Sequence, residues 1–339
     1  MGKVSIIVVN FNRVNLLREC LRSLAGQSLK DVEWIVVDNG SSDGSAAMVH
    51  AEFPQAIVIE SKTNLGFCAG NNVGIAASVG DYVALLNNDA VAEPQWLESM
   101  ITEIEVDPAV GMVASKILVA GRPNVIDKVG HGIYWDGQNR GRGSGETDCG
   151  QFDTEREILW PDGCAALYRR RMLDEIGGFD EDFFAYADDA ELGLRGRSAG
   201  WRARYAPGAV VHHLRGTTMG KYSAERIRLI ERNRVWLAAK HFPLWLLLLN
   251  PFFYALRLLA GLLAGISGSG ESGQVQGIRA KIDLGLTLLR ADIEAISGLA
   301  KMWRKRRAWR KLRKLDDSSL VALLKQHQLS LAELSNKLA

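Results

Sequence analysis

Apolar residues change their rhythm along this chain in a way that lays out alternating strands and helices. Val4–Val9 reads VSIIVV, a continuous β-branched run of the kind buried on both faces of a parallel sheet. Leu16, Leu17, Cys20, Leu21 and Leu24 then recur at helical spacing. Glu33–Val37 predicts a second strand that stops at Asp38. A Gly/Ser-rich turn follows, with Ser45 placed to cap the next helix. Ala56–Ile59 predicts a strand, Cys68–Ala77 a helix, Tyr82–Leu86 a strand, Trp96–Glu105 a helix and Val110–Ala114 a strand. Such alternation predicts an α/β fold with a mostly parallel central sheet. From Gly121 to Asp162 the pattern dissolves among glycines and polar residues. That predicts a long irregular stretch, of a kind that often carries function. Cys164–Tyr168 (strand), Asp188–Ser198 (helix) and two short closing strands, Arg202–Tyr205 and Ala209–His212, complete a domain covering residues 1–220.

Residues 221–339 differ in kind and predict a helical C-terminal region. Between Phe242 and Ile266 the only charged side chain is Arg257, in the run FPLWLLLLNPFFYALRLLAGLLAGI. Its length suits a bilayer span. Asn250-Pro251 in the middle and the cost of Arg257 in hydrocarbon favour a re-entrant or interfacial hairpin instead. A buried helical hairpin in a soluble domain is the remaining alternative. Further on, residues 301–314 (KMWRKRRAWRKLRK) hold nine basic residues in fourteen, with Trp303 and Trp309 interleaved. Beside an apolar segment that composition suits an anionic membrane surface. A nucleic-acid patch would leave the apolar run unexplained, so no nucleic-acid partner is expected.

Net charge adds little, because the formal +2 conceals a C-terminal third far more basic than the rest. Four scattered cysteines (Cys20, Cys68, Cys149, Cys164) form no CxxC pair, which argues against a zinc site or a disulfide framework. The N-terminal apolar run is too short for a secretory signal, so the N-terminal domain is expected in the cytoplasm.

Candidate chemistry gathers at the predicted strand ends, where ligands sit in open α/β sheets. Asn87-Asn88-Asp89 ends the Tyr82–Leu86 strand and offers a carboxylate for a divalent cation, although such a triplet is by itself a common turn. Asp38 precedes a turn of small residues and is placed to accept from a nucleobase or a ribose, or simply to cap a helix. NLGFCAGNNVG (64–74) puts glycines and asparagines around a helix start, for a ligand or for plain helix–sheet packing. No GxGxxG follows the first strand, where Asn10-Phe11-Asn12 stands instead, and this excludes a dinucleotide-binding dehydrogenase. GGFDEDFFAYADDAEL (177–192) sets six carboxylates among aromatics before a helix. Aromatic burial raises a carboxylate pKa, which serves a general base, while acids in a first helical turn are also stabilised by the dipole. In Val211-His212-His213 the two imidazoles point to opposite strand faces, so at most one can join Asp89.

The order and spacing of these stretches resemble the family 2 glycosyltransferases of GT-A fold, especially the bacterial rhamnosyltransferase-like branch. VSIIVVNFNR, WIVVDNGSSDGS, NLGFCAGNNVGI, DYVALLNNDA, GGFDEDFFAYADDAELGLR and APGAVVHH carry the likeness, over about residues 3–220. The resemblance implies an inverting transfer from a nucleoside-diphosphate sugar. It implies Asn10, Asp38, Asn64 and Asn72 around the nucleoside, with Asn87 and Asn88 beside them. Asp89 takes the place of the last acid of the metal motif, and Asn87 replaces its first acid. Asp189 takes the place of the catalytic base, with Asp188 before it. His213, or less readily His212, completes the site of a divalent cation, Mn²⁺ or Mg²⁺. The donor implied is dTDP-L-rhamnose or a UDP-sugar. The apolar segment adds a glycan or polyprenyl-diphosphate-linked acceptor and a peripheral or monotopic place on the cytoplasmic face of the plasma membrane. A sugar-nucleotide nucleotidyltransferase would need a Gly-rich basic loop where Asn10–Arg13 stands. A non-catalytic membrane scaffold would not need Asp38, Asp89, Asp189 and His213.

Overall fold

The computed structural model describes residues 2–214, 223–266 and 278–335. Its elements run β1 (Val4–Asn10), α1 (Val14–Ala25), β2 (Val32–Asp38), α2 (Ser45–Glu52), β3 (Ile57–Glu60), α3 (Gly66–Ala77), β4 (Tyr82–Leu86), β5 (Ala90–Ala92) and α4 (Trp96–Ile104). Next come β6 (Val110–Val119), β7 (Arg122–Lys128), β8 (His131–Ile133), β9 (Asn139–Gly141), β10 (Ala165–Arg169), α5 (Arg170–Ile176), α6 (Asp188–Ser198) and β11 (Arg202–His213). The C-terminal helices are α7 (Ala224–His241), α8 (Leu244–Ile266), α9 (Ile278–Trp309), α10 (Asp317–Gln326) and α11 (Leu331–Ser335).

The central sheet orders its strands β3-β2-β1-β4-β10-β6-β11-β5, with β7 paired to β6. β1 to β4 are parallel to their neighbours, whereas β10 runs antiparallel between β4 and β6. Apolar β1, β4 and β6 are buried because helices or other packing cover both faces. On one face Leu17, Cys20, Leu21 and Leu24 of α1 pack with Val4, Ile6 and Val8; on the other, Ile7, Val83 and Leu85 meet α3, α5 and α6. In-register pairing sets Asn10 against Asp38 at the strand ends, and the chain leaves β4 directly into Asn87. Sheet topology therefore brings these polar residues to one edge.

Several expectations need correction. The helix after Asp38 is capped differently: Gly44 is the N-cap, at φ 84°, and Asp43 accepts from the Ser45 amide and hydroxyl. Residues 121–162 are irregular only in part: β7, β8 and β9 lie in the first half, where glycines and charges at strand ends hid their short alternation, while 142–162 hold no further strand or helix. The two closing strands are one, β11, bent by a register shift between Ala206 and Val210 at Pro207-Gly208. The boundary at residue 220 lies outside the described residues. The C-terminal helices share the main core, with Leu237, Ala295, Met302, Trp309 and Leu320 in contact with the catalytic part.

The apolar segment 242–266 is also not a hairpin. α8 is continuous through Pro251. Leu246 is buried before the proline, and Phe253 packs on Tyr134 and Trp135 after it. Arg257 then pairs with Asp136 at 2.6 Å and with Glu231 at 2.7 Å. These contacts hold both halves of the helix on one surface and offset the amide donor lost at Pro251. The basic segment 301–314 is partly spent on packing as well. Lys301 and Lys305 pair with Asp182, and Lys305 also with Asp180. Arg306 and Trp309 are buried, while Trp303, Arg304, Arg307, Arg310 and Lys311 remain exposed.

Candidate active site

A cavity of about 870 Å³ opens at the ends of β1 and β4 and runs beside the start of α6. Asn10, Asn64, Asn87, Asn88, Asp89, Asp188, Asp189 and His213 all line it, so most of the residues expected from the sequence meet in one space. Asn10 is fully buried and fixed from three sides. Its Oδ1 accepts from Asn88 Nδ2 at 2.7 Å, and its own Nδ2 donates to Asp38 at 3.3 Å and Ser41 at 3.2 Å. Asn64 accepts from the Gly66 amide at 2.9 Å, shaping the turn into α3. Gly66 adopts φ +80°, and any Cβ there would strike the Phe184 ring.

Two expected residues stand apart. Asp38 lies behind Asn10, accepting from the Ser41 amide at 2.7 Å, and Asn39 takes its place in the cavity wall. Asn72 is turned the other way. It accepts from the Phe179 amide at 2.8 Å and donates to the Phe179 carbonyl and Glu181, so it braces the segment before the acidic helix.

Asp89 sits opposite His213, with Nε2 3.4 Å from the carboxylate. The other imidazole nitrogen meets Asp127 at 2.7 Å. Strand alternation turns His212 to the opposite face, where it pairs with Glu93 at 3.0 Å, so of the two histidines it is His213 that faces Asp89. A carboxylate on the far nitrogen of a histidine fixes the ring and directs its other nitrogen at a metal. Asp89 and His213, backed by Asp127, thus fit a divalent cation by the chemistry of their donors. Burial acts against the charge on His213, but Cys164, Asp127 and Asp89 outweigh it and raise its pKa well above the ordinary value. A cation at this site would compete with that proton.

The acidic pair heads α6 behind an unusual approach. Phe184, Tyr186 and Ala187 all have positive φ, at 64°, 69° and 55°. Non-glycine residues hold such angles only where their surroundings enforce them. Asn233 of α7 supplies the restraint, its side-chain amide donating to the carbonyls of Phe183, Ala185 and Tyr186 at 2.9, 2.9 and 2.7 Å. The Phe184 carbonyl in turn accepts from the Phe67 and Cys68 amides at the start of α3.

Asp189 reaches His131 Nε2 at 3.4 Å; that nitrogen lies 2.9 Å from Asp162, which also pairs with Lys128 at 2.5 Å. Trp160 stacks on the His131 ring at 5.9 Å. Burial raises the pKa of Asp189, while His131 and Lys128 pull it back. Asp188 rises further, through burial and the adjacent Asp189 charge. His131, Asp162 and Asp189 also present ligand atoms within 4.8 Å of one another, close enough to share a cation. Lys128 already neutralises Asp162 there, which makes the Asp89–His213 pair the better metal site.

Asp127, Lys128, His131, Asp162 and Asn233 were missed in the sequence. The first four sit where periodicity failed, although charged side chains flanking Gly130 and Gly132 were the available signal. Asn233 lies in a plain amphipathic helix and carried none.

Residues 5–177, just over half of the chain, match the family model for glycosyl transferase family 2, and the chain belongs to that family. The N-acetylglucosaminyl-diphospho-decaprenol L-rhamnosyltransferase of Mycobacterium tuberculosis is 25% identical over 267 residues, covering 71% of this chain and 85% of that relative. Among solved structures, the mannosyltransferase PcManGT from Pyrobaculum calidifontis, in complex with GDP-Man and Mn²⁺, aligns with a TM-score of 0.54 at 18% identity. That match covers 96% of this chain and 87% of the other. GalNAc-T7, solved with UDP, GalNAc and Mn²⁺, aligns with a TM-score of 0.55 at 13% identity, over 71% of this chain and 51% of its own. These structural likenesses are likenesses of fold, and the fold is GT-A.

Proposed function

We propose that this family 2 glycosyltransferase moves a sugar, with inversion, from a nucleoside-diphosphate donor to a hydroxyl of a lipid-linked glycan in cell-envelope polysaccharide synthesis. The observation that carries this reading is the single cavity shared by the Asp89–His213 pair and Asp189. Asn10, Asn64, Asn87 and Asn88 supply polar walls for the nucleoside and its phosphates. A divalent cation, Mn²⁺ or Mg²⁺, held by Asp89 and His213 would neutralise charge on the departing nucleoside diphosphate. Asp189 removes the proton from the acceptor hydroxyl, whose oxygen bonds to the anomeric carbon as the opposite carbon–oxygen bond to phosphate breaks. A buried carboxylate with a raised pKa suits that role, because it holds the proton it takes. The rhamnosyltransferase relative favours dTDP-L-rhamnose as donor over UDP-hexoses, and supports a polyprenyl-diphosphate acceptor.

The exposed surface of α8 supports attachment to the cytoplasmic face of the plasma membrane. Leu248, Leu249, Phe252, Leu259, Leu262 and Leu263 are exposed along it. Arg257 is turned inward to Asp136 and Glu231, so the helix suits lying on a bilayer rather than crossing it. The test is Asp189→Asn, assayed with a panel of nucleotide-sugars with and without Mn²⁺. Unchanged donor binding and loss of nearly all transfer is the expected result; near-normal transfer sinks the base assignment. Donor turnover by the native protein without a sugar–acceptor product would favour a nucleotidyltransferase instead.

A further inference from the structure

The cavity that holds Asp89 and Asp189 has walls that a nucleotide-sugar does not need. Its far side is built from Ile227 and Ile230 of α7, Leu258 and Leu262 of α8, and Leu284 and Leu288 of α9. A donor made of base, ribose, phosphates and sugar is polar along most of its length, and gains little from six aliphatic side chains. Hydrocarbon is what such walls select. Gly261 also lines this part, and a Cβ added to it would meet nothing within 4 Å. All of these residues line the one cavity, so the arm belongs to its open volume.

Its two ends differ chemically. Toward the acidic pair stands Arg226, whose guanidinium lies 5.5 Å from the Tyr186 ring centre, and Arg140 of β9, which donates to the Glu333 carbonyl of α11, lines the same cavity. Arg226 directly precedes Ile227, so cation and apolar wall adjoin on one helix turn. At the other end, α8 and α9 turn more apolar residues outward, including Phe252, Leu259 and Leu263, and Ile282, Leu286 and Leu289. Apolar surface is thus continuous in kind from the arm to the outside of these helices. We infer that the arm between α7, α8 and α9 binds the isoprenoid chain of a diphosphate-linked acceptor, with Arg226 and Arg140 on its diphosphate. The sugar of that acceptor then points to Asp189. This deepens the proposed function and rests on its lipid-linked acceptor. It assigns that acceptor to helices beyond the segment matched by the family.

The experiment uses the full chain in non-ionic detergent and a benzophenone-bearing geranylgeranyl diphosphate, with crosslinked peptides mapped by mass spectrometry. Label is expected in peptides containing Ile227–Ile230, Leu258–Leu262 and Leu284–Leu288. Excess undecaprenyl diphosphate should remove it, and phosphatidylglycerol should not. Gly261→Trp fills the arm and should cut labelling at least tenfold. Gly285→Trp, at an exposed α9 position outside the cavity lining, should leave it unchanged. Thermal melts of both variants confirm that they fold. Labelling confined to other surfaces, equal competition by phosphatidylglycerol, or undiminished labelling of Gly261→Trp overturns the assignment. Transfer to isoprenyl-diphosphate sugars by the native enzyme is measured alongside. If transfer occurs but label misses the arm, the subsite fails and the function stands; if the arm is labelled and no lipid acceptor is used, the function fails.

Discussion

Replacing Asn233 by alanine should separate stability from catalysis in this enzyme. The side chain is fully buried, and its two amide protons are shared among three backbone carbonyls of the loop that delivers Asp188 and Asp189. Phe183 keeps other donors, Arg232 at 3.1 Å and the Ala185 amide at 2.7 Å, so the loss falls on Ala185 and Tyr186. Two buried acceptors deprived of a donor cost roughly 1–3 kcal/mol each. The same loop stores strain in three positive-φ residues, at roughly 1–3 kcal/mol apiece, and without Asn233 it is free to relax. Relaxation offsets part of the lost bonding, so net destabilisation should be modest, about 2 kcal/mol. The same relaxation moves the acidic pair, and a displacement of about 1 Å at a reacting group costs on the order of 100-fold in rate. Denaturant unfolding and steady-state kinetics on Asn233→Ala are therefore expected to give about 2 kcal/mol lost, kcat down about 100-fold and donor KM little changed. A variant that loses the stability yet keeps kcat within about threefold would refute the idea that loop strain is held for catalysis.

Asp127→Asn should weaken Mn²⁺ binding roughly 10–100-fold in a calorimetric titration with nucleoside diphosphate present, because it frees the His213 ring. Unaltered Mn²⁺ affinity would remove Asp127 from the metal site. The acid limb of kcat against pH should lie above the ordinary carboxylate range of about 3.9, since the buried Asp188–Asp189 pair is raised and Asp189 must be ionised to act. His131→Gln removes an influence that lowers the Asp189 pKa, so it should move that limb to higher pH; a limb that stays put would detach His131 from the base. Glu191 has no exposed surface and contacts Arg195 at 2.8 Å, Lys240 at 2.5 Å and His241 at 3.2 Å. Burial opposes its charge, but Arg195 and Lys240 hold its pKa well below the ordinary value, and His241 is itself pushed down to about 4 by burial. Its contribution is present above the ordinary carboxylate range and lost as pH falls through the depressed value. Glu191→Gln should cost roughly 3–5 kcal/mol at pH 7 and less near pH 3; an equal loss at both would contradict the ion-pair account.

The parts of the site visible in the sequence share one property: strand order alone positions them. Asn10 and Asn87–Asp89 stand at the ends of strands whose β-branched runs are unmistakable, so placing the strands placed the residues. Strand alternation allowed only one of the two histidines to face Asp89, the family resemblance favoured His213, and in the fold His213 is the one opposite Asp89. Asp38 and Asn72 sat in equally recognisable stretches, yet their side chains turn to bond the protein itself. Motif position fixes a Cα, and local hydrogen bonding decides where the side chain goes. Asn233 reaches the Tyr186 carbonyl, 47 residues away, only because α7 packs beside the segment leading into α6, and no periodicity encodes that contact.

The apolar helix shows the same limit in its sharpest form. Hydropathy over Leu244–Ala264 is high enough for a membrane span, because such an average counts Arg257 without asking what it meets. In the fold Arg257 meets Asp136, between β8 and β9, and Glu231 of α7, two carboxylates that are themselves buried. Drawing α8 into a bilayer would strip Arg257 from both carboxylates, leaving it in hydrocarbon and leaving Asp136 and Glu231 to Arg234 alone. Lying on the surface would keep both Arg257 pairs and still give the leucine-rich outer face to lipid. Two features of the sequence stood against a span, the Asn250-Pro251 break and the cost of Arg257 in hydrocarbon. The break does not occur, since α8 continues through Pro251, and Arg257 fastens that helix to Asp136 and Glu231.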